Sequence, residues 1–457
     1  MKLVSTNPSK NYEILGQVEI SSKKEILEKI ILAREASVSW EKIGLDIRIK
    51  HIKKVINAFE AKQKDLALLM CREMGMPILQ AENDLKDGID FLNWYCDNAH
   101  TYLDSETTYE NTHELHQVFH EPRGVVAVIV PWNFPFTNFV WQAGQNLICG
   151  NTIIFKDSEE VPLFGKAIED IFLQANFPKG VFNEVYGDRK TGEYLIQQDI
   201  DAICFTGSTK TGKSIYKIGA EKMIPVHIEL GGSSPGIVFK NADIDKVIDT
   251  LYKFKFLNCG QMCKGLKRLL VHESRMEEII EKLTKKILSK KIGDAEDRTT
   301  DIGPLVAERQ VALLEEQVKD AINKGAKILI GGKRPNNLQG AYYEPTLLTK
   351  ITKDMRVWQE EVFGPVLPII PFKTEDEAIA LANDTIYGLG AYVFTEDNEL
   401  FARVAPKIKS GMVSQNNINF VKACNPFGGY KKSGLGREHG KYGFHELTQI
   451  KVISIEK

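Results

Sequence analysis

The amino-acid sequence predicts an α/β protein with two doubly wound domains. Short apolar runs alternate with segments of helical length, which is the pattern of parallel strands covered by helices on both faces. This alternation occurs twice, once before Glu229 and once after it. A chain of 457 residues is also long enough for two or three domains. The two blocks therefore predict two α/β units with a cleft between them.

The first block begins with helices and continues with strands. From about residue 23 to residue 99, apolar residues recur every three to four positions, as at Ile26, Ile30 and Ala33. Apolar runs of strand length then occur at residues 125–130, 152–155, 182–186 and 202–205. Sequence of helical length separates these runs, so we expect βαβ connections.

The second block repeats this alternation after Glu229. Its apolar runs lie at residues 237–239, 269–271, 327–330 and 366–371. A helix is predicted from Asp243, between the first two of these runs. The second block therefore predicts another parallel sheet.

Two segments fit neither block. Residues 102–120 are polar and rich in Thr and His, whereas residues 450–455 alternate apolar and polar side chains like an edge strand. His113, His116 and His120 have no Cys or carboxylate partners at metal-ligand spacing. We therefore expect no metal site in the polar segment.

The composition limits the class of protein. A net charge of -2 and a pI near 6.5 argue against nucleic acid or an anionic membrane as a partner, because both favour a basic surface. No apolar stretch reaches the roughly 18 residues of a membrane span, and the first residues lack the apolar core of a signal peptide. Seven cysteines, an odd number, are typical of reduced thiols. We expect a soluble cytoplasmic protein.

Cys263 is the candidate nucleophile, at the end of the segment NCGQMC at residues 258–263. Most buried cysteines are inert small hydrophobes. Here Gly260 permits a tight turn, and the polar Gln261 makes the segment a poor core strand. Cys259 precedes the Gly-Gln element and is interpreted as a packing residue.

Two other polar residues stand in patterns unusual for a structural role. Glu229 ends an apolar run, where a carboxylate carries a burial cost, and Gly231 and Gly232 follow it closely. Two glycines allow the backbone to pass close to another group. Asn133 lies in the Pro-Trp-Asn-Phe-Pro loop at residues 131–135. A thiol, a carboxylate and a side-chain amide are the groups needed to oxidise an aldehyde through a thioester.

In this order, with these glycines, the three patterns resemble the NAD(P)-dependent aldehyde dehydrogenase family, from about residue 7 to the C-terminus. In length and start the chain is most similar to the shorter succinate-semialdehyde dehydrogenases. The resemblance implies that Cys263 attacks the aldehyde and that Asn133 contributes to the oxyanion hole. It also implies that Glu229 activates the water that hydrolyses the thioester. Relatives that transfer the acyl group to coenzyme A usually lack this Glu, so a free acid is the expected product.

The resemblance also assigns roles to segments. Residues 1–101 and 121–229 are expected to form a cofactor-binding domain, and residues 230–423 a catalytic domain. Residues 102–120 and 424–457 are expected to form an oligomerisation arm that pairs sheets between subunits. A homodimer or homotetramer is therefore the expected assembly.

The cofactor site also rests on the resemblance, because no Gly-x-Gly-x-x-Gly fingerprint follows a strand. The residues it implies are Trp132, Lys156, Glu159, Gly207, Ser208, Glu361 and Phe363. Gly207 and Ser208 would meet the pyrophosphate at a helix start. Glu159 would approach the adenosine ribose and repel a 2′-phosphate, so NAD is the expected cofactor and NADP the alternative.

Residues 207–214 carry a second pattern, Gly-x4-Gly-Lys-Ser, which is typical of a phosphate-binding loop when it follows a strand and opens a helix. An ATPase is therefore the alternative function of another class. The dehydrogenase motif accounts for the same residues, however, and no apolar run ending in the Asp of a Walker B element follows.

Departures from one group of relatives predict the substrate class. Succinate-semialdehyde dehydrogenases typically grip the substrate carboxylate with an Arg after the Pro-Trp-Asn-Phe-Pro loop, and some add another before the nucleophile. Those positions here hold Trp141 and Leu257. With Phe136 and Phe427 they predict an apolar funnel for an aliphatic or aromatic aldehyde. Lys264 is the one cation that can still serve an acidic substrate, so succinate semialdehyde remains the alternative.

Overall fold

Four β-sheets organise the 457 residues that the computed structural model describes. The strands are β1 (Lys2–Asn7), β2 (Glu13–Glu19), β3 (Glu106–Glu110), β4 (Glu114–Pro122), β5 (Val125–Ile129), β6 (Thr152–Lys156), β7 (Phe182–Glu184), β8 (Ala202–Thr206), β9 (Val226–Glu229), β10 (Ser234–Val238), β11 (Leu266–His272), β12 (Lys327–Ile330), β13 (Thr346–Thr349), β14 (Val366–Phe372), β15 (Gly390–Phe394), β16 (Met412–Gln415), β17 (Gly434–Leu435) and β18 (Thr448–Glu456).

Sixteen α-helices cover these sheets. They are α1 (Lys23–Lys42), α2 (Leu45–Ala61), α3 (Gln63–Met74), α4 (Ile78–Leu103), α5 (Pro135–Phe139), α6 (Gln145–Cys149), α7 (Pro162–Gln174), α8 (Arg189–Ile196), α9 (Thr209–Lys222), α10 (Ile244–Phe256), α11 (Met276–Leu288), α12 (Glu308–Asn323), α13 (Arg356–Gln359), α14 (Glu375–Asn383), α15 (Asn398–Val404) and α16 (Gly440–Glu446). A π-helix, Val140–Gly144, joins α5 to α6. None of the helices combines the length and the apolar character needed to cross a membrane.

The first large sheet has the strand order β17-β9-β8-β5-β6-β7. Its strands run parallel except β17, which pairs antiparallel with β9. The sequence of β5, Val-Val-Ala-Val-Ile, is buried at its first four positions because helices pack on both faces of the sheet. Helices α2 to α7 contribute most of the core on one of these faces.

The second large sheet has the order β12-β13-β14-β11-β10-β15-β16. Only β12 runs antiparallel to its neighbour. Strands β10 and β11 lie at its centre, and α10, α11 and α12 pack against it. The chain passes from the first sheet to the second between β9 and β10.

Two small antiparallel sheets complete the fold. Strands β1 and β2 form a hairpin, and β18, β4 and β3 form a three-stranded arm. On β18, Ile450 and Val452 are 64% and 63% exposed. The predicted class, two α/β units with a small β arm, is confirmed, whereas the β1–β2 hairpin and strands β13, β15 and β16 were not predicted.

Candidate active site

Cys263 follows a turn with an unusual backbone. The 3₁₀ turn after α10 places Asn258 and Cys259 at φ 49° and 54°, a left-handed conformation uncommon for residues other than glycine. A Cβ on Gly260, at φ +77°, would lie 2.3 Å from the Gly364 carbonyl oxygen. As a result Cys263 is partly exposed, while Cys259 is 1% exposed in the core of the second unit.

The Cys263 side chain packs on a small apolar cluster formed by Leu389, Met412 and Phe427. Burial raises the pKa of the Cys263 thiol to about 12, although the positive charge of Lys264 lowers it. The thiol is therefore protonated at neutral pH in this state. A proton acceptor is needed before it can act as a nucleophile.

Glu229 ends β9 with its carboxyl group inside the protein. It is 2% exposed, and neither carboxyl oxygen has a hydrogen-bond partner. Burial raises the pKa of Glu229 well above its ordinary value, and the neighbouring Glu438 raises it further, while Arg437 lowers it. A Cβ on Gly428 would lie 2.7 Å from Glu229 Oε1. A buried, unpaired carboxyl with a raised pKa is a candidate general base.

Gly231 and Gly232 connect this base to the nucleophile segment. A Cβ on Gly232 would lie 2.7 Å from the Cys263 carbonyl oxygen, and one on Gly231 would lie 2.1 Å from Glu361 Oε2. The Gly232 N–H donates a hydrogen bond of 3.2 Å to Glu361 Oε1. Such close approaches need residues without a side chain. The two glycines therefore bring Glu229, the Cys263 backbone and Glu361 together.

Asn133 is 5% exposed and is bound to the nucleophile segment. Its Nδ2 donates to the Gln261 carbonyl oxygen at 2.9 Å, and Asn258 Nδ2 donates to the Asn133 carbonyl oxygen at 2.6 Å. These bonds hold the amide next to the chain that carries Cys263. The second N–H of the Asn133 amide has no protein acceptor and can donate to a substrate oxygen.

A cleft of about 690 Å³ lies at the carboxyl ends of β5, β6 and β8. Ligands of open α/β sheets bind at this edge. The cleft is lined by five of the predicted cofactor residues, namely Trp132, Lys156, Glu159, Gly207 and Ser208. The structure therefore brings these five residues into one cavity.

The lining fits a dinucleotide. Ser208 caps α9, whose first turn points its backbone N–H groups towards the cleft, an arrangement that favours phosphate. A Cβ on Gly207 would lie 2.4 Å from the Phe205 ring, so only glycine fits beside that aromatic wall. Lys156 is 3% exposed and contributes a buried cation. These residues would hold the cofactor.

Glu361 and Phe363 lie beside the cleft and are not part of its lining. The Phe363 ring packs edge-to-face against Trp132, with ring centroids 5.7 Å apart. Lys267 Nζ lies 3.7 Å from Glu361 Oε1 and 4.4 Å from the Phe363 ring centroid. The second unit therefore meets the cofactor cleft through the contact between Phe363 and Trp132.

Residues 207–214 do not form the phosphate-binding loop of an ATPase. Helix α9 begins at Thr209, so Gly212 and Lys213 already lie inside it. Gly212 faces Leu230, since a Cβ there would lie 2.4 Å from Leu230 Cδ2, and Lys213 is exposed. No loop is left to wrap around a phosphate, so this alternative is wrong.

Three of the four predicted substrate residues lie near the nucleophile segment, with Trp141 and Leu257 half-buried and Phe427 buried. Trp141 and Phe427 pack with ring centroids 5.0 Å apart, in the cluster that also contacts Cys263. Leu257 begins the turn before the nucleophile and packs, half-buried, on the core of the second unit. Trp141 and Phe427 therefore form an apolar wall near the thiol.

The prediction that Phe136 lines the funnel is wrong. Phe136 is fully buried and packs against Phe59 with ring centroids 4.9 Å apart. Gly88 of α4 leaves room for its ring, because a Cβ there would lie 2.6 Å from the Phe136 ring atoms. Helix α5 thus directs Phe136 into the helical core, away from the thiol.

Two site residues, Glu438 and His439, were not predicted. Burial raises the pKa of Glu438 to about 8. The His439 ring lies 4.5 Å from the Trp141 ring, and its Nδ1 lies 2.5 Å from the Tyr95 hydroxyl. The only signal in the sequence is a run of three charged or titratable side chains between glycines, Gly-Arg-Glu-His-Gly at residues 436–440.

Comparison with known proteins identifies the family. The profile described as the aldehyde dehydrogenase family matches residues 1–453. A mitochondrial succinate-semialdehyde dehydrogenase of Oryza sativa subsp. japonica is 38% identical over 443 residues, which cover 96% of this chain and 84% of that protein.

Solved structures agree with this. The crystal structure of an E. coli NADP-dependent enzyme matches with a TM-score of 0.96 at 33% identity, covering 100% of this chain and 95% of the other. The NAD+ complex of a Bacillus cereus aldehyde dehydrogenase matches with a TM-score of 0.95 at 33% identity, covering 99% and 93%. The chain therefore belongs to the aldehyde dehydrogenase family and is an NAD(P)-dependent oxidoreductase.

Proposed function

We propose that this enzyme oxidises an aldehyde to the free carboxylic acid through a thioester on Cys263. The observation that carries the proposal is that the chain segments bearing Cys263, Asn133 and Glu229 contact one another. The Asn133 amide is bonded to the nucleophile segment, and Gly232 links the Glu229 strand to Cys263 itself. A thiol, an oxyanion donor and a base are the groups that acyl chemistry on cysteine requires.

The first half of the reaction forms the thioester. The Cys263 thiol passes its proton to a solvent water molecule, and its sulfur adds to the aldehyde carbon. The free N–H of Asn133 and the backbone N–H of Cys263 stabilise the oxyanion, and one such donor lowers the barrier by about 3 kcal/mol. A nicotinamide cofactor held by the cleft residues Trp132, Gly207 and Ser208 would supply the acceptor for the hydride of the substrate carbon, which would leave an acyl group on sulfur.

The second half releases the acid. Glu229 in its ionised form takes a proton from water, and the oxygen of that water adds to the thioester carbon. The Cys263 thiolate then leaves, and the free acid departs. The raised pKa of Glu229 suits this task, because it makes the ionised carboxylate a stronger proton acceptor than an exposed one.

We further propose that NAD is preferred over NADP. Glu159 lies in the cleft lining, and no ion pair within 4.0 Å neutralises its charge. A negative charge at the adenosine ribose disfavours a 2′-phosphate. The neighbouring Lys156 offsets part of this effect. Catalytic efficiency with each cofactor tests this preference.

We propose an aliphatic or aromatic aldehyde as the substrate. The wall beside the thiol is formed by Trp141 and Phe427. Positions 141 and 257, where an arginine would bind a substrate carboxylate, hold Trp and Leu. An assay for reduced cofactor across an aldehyde panel tests the function and the substrate class together, with ATP hydrolysis as a control reaction. We expect a higher kcat/KM for a medium-chain or aromatic aldehyde than for succinate semialdehyde, and the reverse ranking would contradict this substrate class.

We propose that the arm formed by β3, β4 and β18 joins subunits into a homodimer or homotetramer. Strand β18 lies at the edge of its sheet and carries exposed apolar side chains, including Ile450 and Val452. Such an edge is a template for pairing with another chain. Light scattering at assay concentration tests this, and an active monomer would refute it.

We also propose the division of labour expected from the sequence, with cofactor binding by residues 1–101 and 121–229 and catalysis by residues 230–423. The cofactor cleft is lined mostly by residues 121–229, and Cys263 lies within residues 230–423.

A cytoplasmic location is proposed as well, because all seven cysteines are free thiols. Cell fractionation tests the location.

A further inference from the structure

Lys264 carries an ammonium group into the apolar wall beside the nucleophile. Its Nζ lies 5.8 Å from the centroid of the Trp141 ring. The Tyr392 hydroxyl donates a hydrogen bond to the Lys264 carbonyl oxygen, which fixes the backbone from which the side chain extends. The side chain therefore points towards Trp141 and is half-buried there.

This ammonium has no partner in the protein. It makes no hydrogen bond and no ion pair within 4.0 Å. Lys267, three residues along the chain, shows the contrast, because its Nζ lies 3.7 Å from Glu361 and also donates to the Val362 carbonyl oxygen at 3.1 Å. A half-buried cation without an acceptor carries a desolvation cost that a bound anion would offset.

Burial and the neighbouring groups act on the pKa of Lys264 in opposite directions. Burial lowers the pKa of Lys264, but Cys263 and the carboxyl groups of Asp87 and Asp84 on α4 raise it. The Asp84 carboxyl is already hydrogen-bonded to Thr137. Neither aspartate comes close enough to form an ion pair with Lys264.

The surrounding wall offers a donor and aromatic faces but no acceptor within hydrogen-bond distance of the ammonium. The Trp141 indole Nε1 is buried without a hydrogen-bond partner. Phe427 and Phe91 pack on the Trp141 ring with centroids 5.0 and 5.6 Å away. Low-polarity walls strengthen the field of a charge that they surround.

We propose that Lys264 binds the anionic far end of the substrate, so that within the proposed class the preferred aldehydes have a medium-chain or aromatic body that ends in a carboxylate. The body lies against Trp141 and Phe427, and the carboxylate meets the ammonium. Cationic aldehydes are repelled by the same charge. This inference rests on the proposed function and narrows its substrate class.

The test compares three aldehydes with one body: benzaldehyde, 4-carboxybenzaldehyde and 4-(trimethylammonio)benzaldehyde. Their kcat/KM values are measured for the wild type, Lys264→Met and Lys264→Arg. The matched control is Lys253→Met, which removes an exposed lysine whose charge also acts on Asp87. Comparing each variant with the wild type on the same substrate cancels the intrinsic reactivity of each carbonyl.

We expect Lys264→Met to lower the ratio of kcat/KM for the carboxylated over the neutral aldehyde by about tenfold or more. The ratio for the cationic over the neutral aldehyde should rise, and Lys264→Arg should retain both wild-type ratios. Unchanged ratios in a folded Lys264→Met, or equal changes in the Lys253→Met control, would overturn the inference. A wild type that oxidises none of the three aldehydes would instead refute the proposed function.

Discussion

Gly232 lies directly against the backbone of Cys263. A side-chain carbon on Gly232 would come within 2.7 Å of the Cys263 carbonyl oxygen and 3.2 Å of the Leu389 Cβ. Because real Cβ atoms do not approach so closely, any larger residue must displace the nucleophile segment. The glycine that follows Glu229 by three positions thus sets the distance between the strand of the base and the thiol.

Gly232→Ala should therefore lower kcat far more than it lowers stability. A displacement of about 1 Å at the reacting atoms can cost about a hundredfold in rate. Steady-state kinetics and thermal unfolding measure the two effects separately. Wild-type kcat in the folded variant would show that this contact does not position Cys263.

Removing the carboxyl group of Glu438 should move the pH dependence of thioester hydrolysis. Glu229 is a base only when ionised, so hydrolysis becomes faster as the pH rises through the pKa of Glu229. Burial raises that pKa first, and Glu438 raises it further. In Glu438→Gln the second cause is absent, so the midpoint should shift to lower pH.

The decay of the acyl-enzyme, followed by rapid quenching and mass spectrometry, gives this midpoint. The control is Glu446→Gln, a carboxyl at the end of α16. An unchanged midpoint in Glu438→Gln would mean that Glu438 does not act on the base.

The two cysteines of the turn should behave differently. Cys259→Ala removes one buried sulfur from the core and is expected to cost about 1 kcal/mol of stability while most activity remains. Cys263→Ala should abolish aldehyde oxidation and leave the fold intact. Activity assays beside denaturant titrations distinguish the two, and a folded but inactive Cys259→Ala would show that this thiol also takes part.

Cofactor choice should depend on Glu159. Glu159→Gln removes the charge that disfavours a 2′-phosphate, so kcat/KM for NADP relative to NAD should increase by about tenfold. Glu193→Gln is the matched control, because Glu193 lines the same cleft but is paired with Arg189 at 2.6 Å. If both variants show the same ratio of kcat/KM for NADP over NAD, Glu159 does not determine the cofactor preference.

Much of this fold could be predicted because its central strands are continuous apolar runs. The runs at β5, β6 and β8 are buried on both faces of a parallel sheet, and their uninterrupted apolar residues indicate this burial. The β1–β2 hairpin gives no such signal, since β2 is mostly exposed or half-exposed. Strand β16 is short and only half-buried, and it lies at the sheet edge, where it pairs with β15 alone.

Prediction of the site residues from the sequence is limited in the same way. Glu229 and Gly232 could be found because the glycines stand beside the carboxylate in the sequence. Phe136 was misplaced, since neither its spacing nor its type reveals that Gly88 opens a pocket for it in another helix. The direction of the Lys264 side chain depends on the turn at Cys263 and on the position of Trp141, and only the folded chain brings these together.

The most direct test of the proposed reaction is the intact mass of Glu229→Gln after exposure to an aldehyde and NAD. The variant keeps the nucleophile and the oxyanion donor but lacks the base, so the acyl-enzyme should form and persist. We predict one mass increase equal to the acyl group, located on the peptide that contains Cys263 and absent from Glu229→Gln/Cys263→Ala. Full turnover by Glu229→Gln, or an acyl group on another residue, would contradict the account.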